Sequence, residues 1–289
     1  MEHRARHGDG DQGARRSGLH LGQDAPLMTQ APAAADRLAR QQRTLALGFV
    51  LALALAWFAS VGHVPVYVLP PPSEVAGAAF AFASSAQRLP HLFATLAHIA
   101  SAIAISFVLG ALLAFAAHYA QWSAPAIHQR MSPFLSAFSG IGWTLLAVIW
   151  FGVSSFTVVF TIVAVLLPFA LVNLREGLLA LDGELLEMGK SFGRVRWRSW
   201  RLLVAPALLP FAAATLRIMF GVAWKVTLTA ELFGGGRGLG YVINIARQDY
   251  DTPTLFAVIL FIIIAVTLAD RLLFGPLERL TTRQFGGAR

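Results

Sequence analysis

Thr44 to Val61 is a run of eighteen residues without a charged side chain, and His91 to Ala117 is a longer one. At 1.5 Å per residue either run reaches about 27 Å or more as a helix, enough to cross the hydrocarbon of a bilayer. Further apolar runs follow at Pro133 to Phe151, Ser155 to Val172, Ala207 to about Leu232, and Leu255 to about Leu268. Backbone amides in hydrocarbon must be satisfied within their own segment, so runs of this kind fold as helices. The expectation is an all-α, polytopic membrane helix bundle with six transmembrane helices. Composition agrees, because 56% hydrophobic residues, 13% charged residues and a mean hydropathy of +0.63 exclude a soluble domain of this length.

The net charge of +8 does not point to nucleic acid. The arginines sit at the ends of apolar runs, as Arg37, Arg40 and Arg43 do before the first and Arg271, Arg279 and Arg283 after the last. That distribution fixes topology and puts both termini in the cytosol. Residues 1–43 are rich in Arg, Gly, Asp, Gln and His and read as a disordered cytosolic tail, with Met28 as an alternative start. A cleaved signal is not expected, since the first apolar core is too long and no small-residue cleavage site follows it. The absence of cysteine excludes a disulfide framework and a thiolate metal site.

Between the fourth and fifth runs lies a polar island, Leu181 to Pro210. Glu184 to Phe192 is long enough for a short helix, and Gly193 is a natural left-handed cap that ends it. Arg194, Arg196, Arg198 and Arg201 then surround Trp197 and Trp200, giving a second helix both charge and a large apolar surface. Such a surface suits a partner protein or a lipid headgroup layer.

Glu187-Met188-Gly189, three residues, Gly193, nine residues and then Leu203-Val204-Ala205-Pro206 resembles the E-A-A loop of ABC-importer permeases. Glu187, Gly193, Leu203 and Pro206 fall in register, while Met188, Gly189 and Ala205 depart from the usual letters. The segment Leu69-Pro70-Pro71-Pro72-Ser73-Glu74-Val75 is similar to an L-P-x-P-x-E-V segment of the nitrate, taurine and alkanesulfonate group, with Ser73 as cap of a short interfacial helix. Ala230-Glu231-Leu232 and Gly238-Leu239-Gly240-Tyr241 resemble the A-E-x and G-L-G-Y segments of the same group. The resemblance implies type I importer architecture in residues 44–280, with a coupling loop at 174–206 and a short cytosolic tail at 281–289. It implies a bacterial inner-membrane location, a permease homodimer, two ABC ATPase subunits and an extracytoplasmic solute-binding protein. It also implies that ATP and Mg are used by the ATPase partner, that no cofactor is bound by this chain, and that Glu187, Met188, Gly189, Gly193, Arg194, Trp197, Leu203 and Pro206 meet that ATPase.

The fifth apolar run is the least comfortable in a bilayer. Arg217 lies near one end, but Lys225, one of two lysines in the chain, is deep in the run. A translocation-pathway role that favours small anions, such as sulfonates, taurine or nitrate, stands beside a salt bridge to Glu231 or another helix, and beside snorkelling. Thr229 is one turn on from Lys225 on the same face, where its hydroxyl is expected to add a donor to a passing anion. Glu231 is expected either in the pathway or as a carboxylate that fixes the helix end. The Gly-rich stretch Gly234 to Tyr241 is not a phosphate loop, since no Gly-Lys-Ser/Thr follows, and reads as an external turn.

Relatives usually carry prolines in the middle of the third span, where this chain has Gly140-Ile141-Gly142-Trp143, so its local geometry departs from the pattern. Small residues in the second span, Ala100, Ser101, Ala102, Ala104 and Gly110, allow a neighbouring helix close approach. His63, His91, His98, His118 and His128 are scattered without a matching carboxylate or cysteine spacing, so neither a metal site nor a catalytic centre is expected. A permease of the same family for a different small organic solute is the alternative, and two other classes stay open. A secondary transporter requires matching repeats with broken helices, and a membrane scaffold requires no polar residue in a span.

Overall fold

The computed structural model describes residues 27–120, 122–180 and 205–274. Its described residues contain helices and turns but no strand. Met1–Ala59 and Ser60–Arg289 are separate compact units. The first contains α1, Leu27–Ala59. This helix begins ahead of Thr44, inside the segment expected to be an unstructured tail. Ala33, Ala34, Ala35, Leu38, Ala39, Gln41 and Gln42 are good helix formers, so the turn set up by the apolar run propagates backwards.

The second unit opens with α2, Pro72–Ser84, which starts on a proline and carries Glu74 in its first turn. Ser73, expected as its cap, lies within that turn. Phe82 of α2 is fully buried among Leu239 and Val258, with its ring 5.1 Å from that of Phe261. Next comes α3, Leu89–Tyr119, whose buried residues Thr95, His98, Ala102, Ser106, Gly110, Ala114 and Ala117 recur every three or four positions. Of the small residues expected at its contact, Ala102 and Gly110 lie on this stripe, whereas Ala100, Ser101 and Ala104 are not buried.

The third span is broken. A π-helical turn, Pro125–Met131, leads into α4, Ser132–Ala137, and α5, Gly140–Phe151, follows at an 87° bend. The helix expected from about Pro133 to Phe151 is therefore two helices, with the break just ahead of the Gly140-Ile141-Gly142-Trp143 stretch whose geometry was expected to depart from the pattern. Phe138 and Ser139 are extended, and the Ser139 hydroxyl accepts from Gly142 N at 3.3 Å, starting a new helix at this point. The Trp143 indole N–H donates to Leu135 O at 3.1 Å, and its ring contacts Phe134 and Phe138, which holds the corner.

Helix α6, Ser155–Leu179, is joined to α5 by the tight turn expected at Gly152-Val153-Ser154. Gly152 adopts φ 70°, and Ser154 caps α6 by accepting from Thr157 N. Helix α7, Ala205–Gly234, runs back beside it, and Ser154 N donates to Gly234 O at 3.0 Å. The chain then forms α8, Leu239–Gln248, and α9, Thr252–Ala269, which Asp251 caps through Thr254 N. A π-helical stretch, Asp270–Phe274, ends the described chain.

Helices α3, α6 and α7 make the core, with Ile99, Ala102, Val158, Ile162, Leu166, Ala170, Met219, Ala223 and Trp224 packed together. Small residues set the spacing. A Cβ on Gly110 would meet Ala170 Cβ at 2.5 Å, and one on Gly177 would meet the Phe211 side chain at 2.8 Å. Five described helices are long and apolar enough to cross a membrane, and the number is six if the bent pair counts as one span. The chain is a multi-span, all-α membrane protein.

Candidate functional site

Helix α7 has two different faces. Met219, Phe220, Ala223, Trp224, Thr227, Ala230 and Glu231 turn into the bundle. On the other side Ala214, Arg217, Ile218, Gly221 and Lys225 form an exposed stripe. Arg217 Nε lies 3.9 Å from Asp270 Oδ1 on the neighbouring segment. Lys225 has no salt bridge among the described residues, and it sits about 14 Å along the axis from Gly234. An ammonium at that depth costs several kcal/mol unless it is paired or hydrated.

Thr229 is half-buried one turn from Lys225, and its hydroxyl donates to Lys225 O at 3.1 Å. Its proton is thus spent on the helix backbone, and its lone pairs are what it offers a neighbour.

Glu231 does not pair with Lys225. It is fully buried and accepts from Thr95 Oγ1, from His98 Nδ1 and from Gly240 N, each at 2.9 Å. An ionised carboxylate only accepts, so with Glu231 ionised the proton of this hydrogen bond sits on His98 Nδ1. Three successive amides of the Gly-rich turn are received by side chains of α3 and α7. Gly238 N donates to His91 Nδ1 at 3.2 Å, Leu239 N to Thr95 Oγ1 at 2.7 Å, and Gly240 N to Glu231.

His91 therefore presents a bare Nδ1 to Gly238, and its ring stacks on Tyr241 with centroids 5.7 Å apart. Gly238 has φ +114°, and a Cβ there would collide with the Glu231 carboxylate; one on Gly240 would collide with Leu228 O. The Gly-rich stretch, expected as a turn, is a clamped turn feeding α8. Beside it Arg88, His91, Tyr241, Asp249 and Thr254 line a cavity of about 270 Å³.

Of the residues expected to meet an ATPase, Pro206 is described and exposed in the first turn of α7. Glu187, Met188, Gly189, Gly193, Arg194, Trp197 and Leu203 lie outside the described residues. Sequence reasoning missed His91, Thr95 and His98. Their i, i+4, i+7 spacing on one face of an uncharged span was the available signal, but the carboxylate that Thr95 and His98 meet is 133 residues beyond His98. No group of three or more metal-ligating side chains occurs among the described residues.

Residues 44–274 match the model of binding-protein-dependent transport system inner membrane components. The chain is 31% identical over 248 residues to the riboflavin transport system permease protein RibX of Chloroflexus aurantiacus, covering 82% of this chain and 90% of that one. It is 26% identical over 252 residues to the taurine transport system permease protein TauC of Escherichia coli, covering 83% and 90%. With the formylaminopyrimidine transport permease protein ThiX of Halalkalibacterium halodurans, identity is 29% over 214 residues, covering 72% and 83%.

Proposed function

The chain belongs to the family of binding-protein-dependent transport system inner membrane components, and from that premise we propose that two copies of it form the translocation pathway for a small anionic solute. Membership makes it the permease subunit of an ABC importer in an inner membrane. It works with a separate ATPase, which hydrolyses the ATP, and with a binding protein. We propose further that both termini and the loop 174–206 are cytoplasmic, that Glu187, Gly193 and Pro206 meet the ATPase, and that ATP and Mg act there while this chain binds no cofactor.

The observation that carries the choice of an anion is Lys225, an ammonium on the exposed stripe of α7 with no carboxylate partner among the described residues. A second copy laid against this stripe encloses the charge, and water in the enclosed path keeps it hydrated. Thr229 extends the same wall. Glu231 supports the wall from behind, through His98 and Gly240. The relatives' names cover a sulfonate, a flavin and a pyrimidine, so the solute is chosen by the path and the binding protein, not by the fold. A sulfonate such as taurine or another small oxyanion such as nitrate fits one cationic contact.

Uptake by Lys225→Arg and Lys225→Met importers, normalised to assembled protein, tests this. A pathway role lowers uptake in the Met variant with assembly intact and spares the Arg variant. Full uptake by Lys225→Met at normal abundance would refute it.

A further inference from the structure

The break in the third span has a physical requirement that α7 helps to meet. Phe138 (φ −95°, ψ 137°) and Ser139 (φ −70°, ψ 162°) are consecutive extended residues between two helices of one apolar span, and both are exposed. Non-helical backbone at membrane depth is tolerated where protein covers it or where it lines a water-filled cavity, and not against lipid tails.

Gly140, the first residue after the break, packs beside α7. A Cβ on Gly140 would lie 3.6 Å from Val226 Cγ1, and Val226 is the residue after Lys225. The extended pair ends one residue before Gly140 and Lys225 is one residue before Val226, so the break and the ammonium flank the same α5–α7 contact, and Phe138, Ser139 and Lys225 are all exposed. Each is unfavourable in hydrocarbon for a separate reason, one for its backbone and one for its charge, and one hydrated cavity relieves both.

We infer that Phe138, Ser139 and Lys225 line a single hydrated site that receives the anionic group of the solute, with Ser139 as a specificity-determining residue. The inference rests on the pathway reading of Lys225 and adds the broken span to it. Lys225 supplies the charge. The first turn of α5 adds the positive end of a twelve-residue helix. Ser139, whose hydroxyl already accepts from Gly142 N, has its proton free to donate to an oxyanion.

The chain has no cysteine, so a single introduced thiol reports its own surroundings. Ser139→Cys and, separately, Phe138→Cys are made in the full importer in membranes. Each is treated with a methanethiosulfonate reagent carrying a sulfonate and with its trimethylammonium counterpart. Both thiols should react, and the sulfonate reagent should react about tenfold faster than expected from the same pair of reagents on a free thiol. Adding Lys225→Met should remove that preference while leaving the thiols reactive.

Unreactive thiols in both variants would overturn the inference, because the break would then be covered by lipid or protein. Reaction without anion preference, or a preference that survives Lys225→Met, would overturn it as well. Failure of the pathway reading itself shows separately, as unchanged uptake by Lys225→Met.

Discussion

Replacing Glu231 with alanine should cost this protein more stability than any other single polar truncation in its described residues. The carboxylate is fully buried and receives three donors, from Thr95, His98 and Gly240. Thr95 has a second acceptor in His91 O at 3.2 Å, so the residues left without a partner are His98 Nδ1 and Gly240 N. Each orphaned buried group costs about 1–3 kcal/mol, and removing one member of a buried pair costs about 3–5 kcal/mol, so a loss of about 4 kcal/mol is the working figure. For a domain of this size that corresponds to a fall in Tm of about 10 °C.

Glu231→Gln behaves differently. Its amide oxygen still accepts from Thr95 and Gly240, and its NH2 donates to His98 Nδ1 once the imidazole takes its other tautomer. A loss of about 1 kcal/mol is expected. Thermal unfolding of the purified protein in detergent measures both. A Glu231→Ala protein whose Tm stays within about 2 °C of the parent would refute the assignment of Glu231 as the anchor of the Gly-rich turn.

Gly240→Ala should lower Tm in the same direction, because the added methyl group collides with Leu228 O and leaves the amide unable to reach Glu231. Gly110→Val should cost about 2–3 kcal/mol by pushing α3 off α6 at Ala170, read as lower Tm or reduced yield. Single cysteines at Gly236, which faces open space, and at Ser199 should be labelled by an impermeant reagent from opposite sides of the membrane. Labelling of both from outside would overturn the proposed orientation.

What the sequence disclosed was mostly what hydrocarbon enforces. The apolar runs, the Gly152-Val153-Ser154 turn and the span carrying Lys225 are local patterns, and each appears in the fold where its residues stand. The broken third span was less legible, since Ser139 and Gly140 sit in an otherwise apolar run and a hydropathy reading passes over them. Helix α8 was hidden behind the glycines that precede it, which mark a turn and carry no signal of the helix beyond. The Glu231 clamp depends on a pairing between helices far apart in the chain, so no spacing rule finds it. His98 looks isolated until α3 and α7 are packed together. Met28 to Arg43 resembles a tail in its charge, although its alanines and glutamines favour the helix that α1 forms.

The most direct measurement of the central claim is flux in proteoliposomes containing this chain, with and without its ATPase and binding protein. Labelled taurine serves as the anionic probe, and nitrate and riboflavin are measured alongside it. The expected result is ATP-dependent accumulation of an anion that needs all three components and falls in the Lys225→Met protein. Accumulation without the ATPase, or ATP-dependent uptake of riboflavin alone that is indifferent to Lys225→Met, would contradict it.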